Sequence, residues 1–299
     1  MVNRNNDIRD DEFYVIGRRK SPAEVPLPTS RRRTRFGWIL LAAALLLGLL
    51  VWLLWPRGET PPEINGVFDP SPTSPTPTVI APKQLGIPAD SLKAAFVEKV
   101  DTTINDVVLS IYIPRNTAAP ILTIGAPDAE VRKATLAFQA ADIRADNWEI
   151  LGSFVQKGKV IARGRSKKGF CAIIDGKVTV GVAENSPLFE EAAEKDGYFF
   201  RQFSLVNNGV LEENALKNKT MRKALCDRGG QIFVAVSETS ESMHDFAQAL
   251  VDLGVDNAIN LVGSSSAFGW YVDENGVQNY FGVDLHRESY RNENYIVWK

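Results

Sequence analysis

The chain of 299 residues is poor in sulfur and imidazole, with two Cys, two His and three Met. That scarcity excludes a disulfide-dense secreted module and a Cys/His zinc array, and it leaves any metal site to oxygen ligands. An excess of charge of one sign is also missing, since 34 Lys and Arg face 36 Asp and Glu. The balance excludes a basic nucleic-acid coat and a disordered acidic tail. The chain has neither a Gly-x-x-x-x-Gly-Lys-Ser/Thr phosphate loop nor a Gly-x-Ser-x-Gly nucleophile elbow. His244 and His286 have no neighbours at metal-ligand spacing and read as solvated surface residues.

What is present is unevenly spread. Residues 36–55 are twenty consecutive residues without a charge, Asn, Gln, Ser, Thr or Pro. As a helix they would span about 30 Å, the thickness of a hydrocarbon core. Trp38 stands near one end of the run and Trp52 and Trp55 near the other, which suits the two membrane interfaces. Arg18, Arg19, Lys20, Arg31, Arg32, Arg33 and Arg35 precede it, whereas Arg57 is the only base in the twenty residues that follow. Residues 1–35 are therefore expected to form a basic cytoplasmic tail and residues 36–55 a single span of the inner membrane, with the rest periplasmic or extracellular. A cleaved signal peptide fits less well, because the run is long, far from Met1 and followed by Leu54-Trp55-Pro56-Arg57. Topology accounts for the arginines at 31–35, so no nucleic-acid partner is expected.

Residues 56–88 hold nine of the sixteen Pro, interleaved with Ser and Thr. Pro removes hydrogen-bond donors and fixes φ, so this segment is expected to be an extended tether. Residues 89–299 remain for the folded domain, enough for one large core. Ala89-Asp90-Ser91 reads as the cap of a helix running through Phe96 to Lys99. Strand-like runs follow at 107–113, 121–124, 153–161, 170–174, 178–182, 202–206, 232–236 and 258–261. Turn signals stand at Asp175-Gly176, Asn208-Gly209, Gly229-Gly230 and Asn275-Gly276. Ser242 and Asp245 form a capping box ahead of Phe246, Ala247, Leu250 and Val251, and Gly254 supplies a helix stop. Glu190, Glu191 and Glu194 read as a solvated helix face. The expected fold class is α+β: a strand-rich mixed sheet with a few packed helices. Cys171 and Cys226 head comparable strand segments; if these pair in one sheet the thiols can bridge, and otherwise they are two buried free thiols.

The segment from residue 242 through Gly254-Val255-Asp256-Asn257-Ala258-Ile259-Asn260-Leu261-Val262-Gly263-Ser264-Ser265-Ser266 resembles the C-terminal signature of the phosphodiester glycosidase domain family. In that family a helix and a Leu-Gly turn lead into Ala-x-Asn-Leu-Asp-Gly-Gly-Gly-Ser-Ser. Leu205-Val206-Asn207-Asn208-Gly209 is similar to the family's Leu-Val-x-Asn-Gly, and Arg222-Lys223-Ala224 stands where the family has Arg-Thr-Ala. Leu151-Gly152-Ser153-Phe154-Val155-Gln156-Lys157-Gly158-Lys159 is similar to a further family strand and turn. The resemblance covers residues 133–299 and is densest from 202 to 267.

The resemblance implies that the signature loop lines an active site with a carboxylate in reach of a sugar phosphate or of a metal. This chain departs from it with Val262 for Asp and with Ser264 and Ser265 for Gly. Valine neither transfers a proton nor ligates a cation, and the added Cβ atoms are costly where φ is positive. The family's early Asn-containing box falls near Gln139-Ala140-Ala141-Asp142, which has no Asn.

Two readings stay open. In one, the domain hydrolyses a sugar-phosphate of a cell-envelope glycan, with Arg222 neutralising phosphate, Asn207, Asn208, Asn260, Gly263, Ser264, Ser265 and Ser266 positioning the substrate, and Asp142 or Asp256 as the relocated carboxylate. Asp273 is a further candidate for that role. In the other, the domain keeps the fold and serves as a catalytically inactive glycan-binding or assembly module. No cofactor is evident; a divalent cation would have oxygen ligands.

Overall fold

The computed structural model describes residues 94–164, 167–284 and 291–299. Among them seventeen strands form three sheets. The largest runs β1 (Phe96–Ile104), β2 (Val107–Arg115), β13 (Gln231–Glu241), β12 (Thr220–Arg228), β14 (Asn257–Asn260), β10 (Ser204–Asn207), β11 (Val210–Leu211). The second runs β16 (Gln278–Phe281), β15 (Gly269–Val272), β4 (Leu136–Gln139), β17 (Asn294–Trp298), β3 (Ile121–Ile124). The third runs β6 (Lys159–Ala162), β5 (Phe154–Gln156), β9 (Tyr198–Gln202), β7 (Gly169–Ile174), β8 (Lys177–Val182). Two α-helices accompany them, α1 (Leu188–Glu194) and α2 (Met243–Asp252). The strand-rich α+β expectation stands, with the strands divided among three sheets. Every pairing of the named strands is antiparallel.

Turn chemistry explains much of this layout. Asp175-Gly176, Asn208-Gly209 and Gly229-Gly230 each place two residues at positive φ, as two-residue hairpin turns require, and they join β7 to β8, β10 to β11 and β12 to β13. Lys157-Gly158, at 47° and 73°, does the same between β5 and β6. The run expected as one strand over 153–161 is therefore a hairpin. The run over 202–206 is also divided: Gln202 ends β9 in the third sheet, and Ser204 opens β10 in the first.

The helix expected through Phe96 and Lys99 is instead β1, paired with β2 from Phe96↔Arg115 to Ile104↔Val107. Val97, Val100, Thr102, Thr103 and Ile104 favour the extended chain. Residues 89–91, the expected cap, lie outside the described residues, as do the span at 36–55, the tether at 56–88 and His286. Among the described residues no helix is long and apolar enough to cross a membrane. The expectation for α2 holds: the Ser242 hydroxyl accepts from Asp245 N–H at 3.0 Å, and Gly254 follows the helix at φ 84°.

Strand alternation gives the first sheet two apolar faces. One, with Ala224, Cys226, Ala235 and Ala258, packs on Phe246 and Leu250 of α2. The other, with Leu225, Val234 and Ile259, meets Phe138 of the second sheet and Phe154, Cys171 and Phe200 of the third. A smaller cluster on the third sheet joins Phe199 to Phe189 of α1. The two cysteines thus lie on opposite sides of the first sheet, both free and fully buried. The Cys171–Cys226 bridge does not form: both thiols are free, Cys226 facing the α2 side of the first sheet and Cys171 packing against its other side. Burial raises both thiol pKa values, which makes them poor nucleophiles.

Candidate functional site

One strand from each sheet ends at a common seam: β4 at Gln139, β9 at Gln202 and β14 at Asn260. Main-chain bonds tie the ends together, Val262 N–H to Gln139 O at 3.3 Å and Asn260 N–H to Phe203 O at 2.8 Å. The Gln202 amide reaches Ala140 O at 3.4 Å. The loop Gly263-Ser264-Ser265-Ser266 leaves from this seam and leads into β15. Ser264 N–H donates to Met221 O of the neighbouring strand at 2.9 Å, and a Cβ on Gly263 would stand 2.8 Å from that same oxygen. Close approach to β12 therefore requires glycine at 263. Ser264 sits at φ 74°, so one of the two family glycines replaced here does occupy a left-handed position; its hydroxyl offsets part of the strain by meeting Ser266 Oγ at 2.9 Å.

Two buried lysines lie at the seam. The Lys167 ammonium, its side chain 3% exposed, is ion-paired to Asp142 and donates to Gln202 Oε1 at 2.9 Å. The Phe203 ring lies 4.5 Å away. The second lysine, Lys223 on β12, accepts Leu261 N–H at its carbonyl and donates from Nζ to Ala267 O at 2.9 Å. Phe281 and Phe138 wall its ammonium at 5.0 and 6.0 Å from the ring centres. Burial lowers its pKa to about 8. Neither lysine was legible as a site residue: Lys167 lies 25 residues from its partner Asp142, and Lys223 gives no local sign of which face of its strand it occupies.

The residues expected to bind substrate are not all brought together. Arg222 sits on the opposite face of β12 from Lys223, where its guanidinium holds Glu241 O at 3.1 Å and Asn218 O. Its N–H donates to the Ser237 hydroxyl at 2.8 Å, where an irregularity interrupts the β12–β13 ladder. Asn207 and Asn208 lie at the far end of β14, with Asn208 N–H on Asn257 Oδ1 at 3.1 Å. Four residues of strand separate that end from the loop, roughly 10 Å. Asp256 is at that far end too, its carboxylate accepting Gly229 N–H at 2.6 Å. Asp273 closes its own turn, accepting from Asn275 and Val277 N–H at 2.9 Å. Asn260 is at the seam with its side-chain oxygen buried and unpartnered among the described residues. Asp142 is the one expected carboxylate that lies there. Among the described residues no three His, Cys, Asp or Glu side chains group to hold a metal. His244 is exposed, 3.1 Å from Glu213. A cavity of about 520 Å³ lies elsewhere, between Ser153, Arg163 and Phe189, and none of the expected site residues line it.

A strand-rich domain with a glycine- and serine-bearing loop leaving a three-sheet seam is the class of protein in hand. The family model for phosphodiester glycosidase matches residues 132–293, more than half of the chain, and the chain belongs to that family. Among solved structures, it is similar to the catalytic domain of zebrafish N-acetylglucosamine-1-phosphodiester alpha-N-acetylglucosaminidase, auto-inhibited by pro-peptide. The identity is 15% and the TM-score 0.49, over 68% of this chain and 82% of that one. It is also similar to a hypothetical protein from Synechocystis at 14% identity and a TM-score of 0.46, over 68% of this chain and 62% of that one. No curated protein matches.

Proposed function

We propose that this is a single-pass envelope protein whose phosphodiester glycosidase domain binds a sugar-phosphate of a cell-envelope glycan with little or no hydrolysis. Residues 1–35 stay in the cytoplasm, residues 36–55 cross the inner membrane, and residues 56–88 tether the domain on the far side. The observation that carries the binding reading is the seam itself. Position 262 is aliphatic, its N–H is bound to Gln139 O, and Asp142 is held by Lys167. The one carboxylate at the seam is thus already engaged by a neighbouring side chain, whereas the loop hydroxyls and nearby cations suit an anionic, hydroxyl-rich ligand.

Hydrolysis by Asp142 is the second reading, favoured by its place at the seam and its side-chain exposure of 31%. The full-length chain in detergent, offered UDP-N-acetylglucosamine, is expected to bind it without appreciable turnover. The variant Val262→Asp/Ser264→Gly/Ser265→Gly is expected to turn it over. Turnover by the unmodified chain that disappears in Asp142→Asn selects the enzyme instead. Absence of binding by the unmodified chain refutes the sugar-phosphate reading. Protease added to spheroplasts should remove the domain, and its protection there would refute the topology.

A further inference from the structure

The buried charged side chains among the described residues are Lys167, Arg201, Arg222, Lys223 and Arg228, and none is acidic. Most have visible compensation. Lys167 has Asp142 and Gln202. Arg201 donates to Lys167 O at 2.8 Å, Ala183 O at 2.7 Å and Glu184 O at 2.9 Å. Arg222 holds Asn218 O and Glu241 O, and Arg228 feels the charge of Asp256.

Lys223 differs. It is 4% exposed, and among the described residues its three ammonium donors find one acceptor, Ala267 O, and no carboxylate. Burying an ammonium without an anion is costly, and an aliphatic residue between Phe138 and Phe281 would avoid that cost. We infer that Lys223 is the anion anchor of this domain, taking the phosphate of the bound sugar-phosphate in place of Arg222. The inference rests on the proposed function and names the residue that recognises the charged part of that ligand.

The present partner of Lys223 points to the signature loop. The acceptor that Lys223 now holds is a carbonyl of the signature loop, so a phosphate oxygen entering beside Gly263 to Ser266 replaces Ala267 O with a charged acceptor, which makes a stronger bond. Arg222 cannot serve without a larger rearrangement, because its guanidinium is on the other face of β12 and braces residues 218 and 241.

Affinity should also depend on pH, because burial lowers the Lys223 pKa to about 8. Among the described residues, Tyr112 on β2 packs on the Phe138 and Phe281 rings, Tyr271 on β15 packs on Tyr112, the charge of Glu238 acts on Tyr112, and Asp284 beyond β16 is paired with Arg132. Burial raises Tyr112 well above its ordinary range, so it stays neutral where Lys223 titrates.

The test uses the full-length chain in detergent, titrated calorimetrically with UDP-N-acetylglucosamine and, separately, with inorganic phosphate. Lys223→Met is expected to weaken both at least about tenfold, the usual scale for losing a charged hydrogen bond. Lys223→Arg should keep binding and lose the fall in affinity between pH 7 and 9.5. Retained affinity in Lys223→Met overturns the assignment, and loss in Arg222→Gln alongside it returns the phosphate to Arg222. A lysine-¹³Cε label follows Lys223 directly in the unmodified chain: phosphate should raise its titration midpoint. If UDP-N-acetylglucosamine does not bind but phosphate still raises that midpoint, the sugar-phosphate reading fails and the anchor stands. If phosphate leaves the midpoint unmoved, the anchor is refuted.

Discussion

Removing the charge of Asp142 is the most direct probe of the seam. Asp142→Asn keeps the side-chain shape and leaves the Lys167 ammonium with Gln202 Oε1 at 2.9 Å and the Phe203 ring at 4.5 Å. Orphaning one member of a fully buried pair costs roughly 3–5 kcal/mol. Lys167 is 3% exposed but Asp142 is 31% exposed, so water already screens the pair and the expected cost falls to about 2–3 kcal/mol. For a domain of this size each kcal/mol is worth about 2–4 °C, which places the loss near 5–10 °C. Thermal unfolding of the full-length chain at pH 7 reads it directly. Adding Lys167→Met removes the orphaned ammonium and should recover most of the loss, a coupling measurable as a double-mutant cycle. A cost below about 1 kcal/mol for Asp142→Asn, or no recovery in the double variant, refutes the reasoning.

Three further outcomes are expected. Since the folded pKa of Lys223 is about 8 and that of an unfolded lysine ~10.4, the unfolded chain binds the extra proton between those values. Stability should therefore rise by about 2.5 kcal/mol from pH 8 to 10.5 relative to Lys223→Met in denaturant titrations, and a flat difference counts against an ammonium buried in the native state. Ser264→Gly relieves the 74° φ and loses the bond to Ser266, a net gain of about 0.5 kcal/mol; Ser265→Gly should show no gain, and the opposite ranking in thermal melts would contradict the loop geometry. Cys171 and Cys226 should resist a maleimide in the native protein and react after unfolding, because both are fully buried; fast native labelling of either would show that its sheet opens.

The parts of the fold legible in the sequence are those set by local chemistry. Asp175-Gly176, Asn208-Gly209 and Gly229-Gly230 announce hairpins because few other residue pairs accept two positive φ values, and Ser242 announces α2 through its cap. Phe96 and Lys99 misled because their spacing also fits a helical stripe, and only pairing with β2 decides the matter. β4 and β17 are short runs whose partners are distant in sequence, and β15 has one near partner, β16, and one distant, β4. The site divides in the same way. The signature loop and the loss of Asp at Val262 are visible in the chain itself. The Asp142–Lys167 pair and the face occupied by Lys223 arise from how the three sheets meet.

In the second sheet β17 lies between β4 and β3, pairing Ile296 with Phe138 on one side and with Leu122 on the other. The strands over residues 121–139 are made early yet cannot complete their sheet until residues 294–298 are available. Until then two sticky edges stand open, with buried-type residues such as Leu122 and Phe138 beside them. A chain of this design has to be shielded through most of its synthesis, so handling by chaperones, more than the final stability of the domain, should set how much of it accumulates.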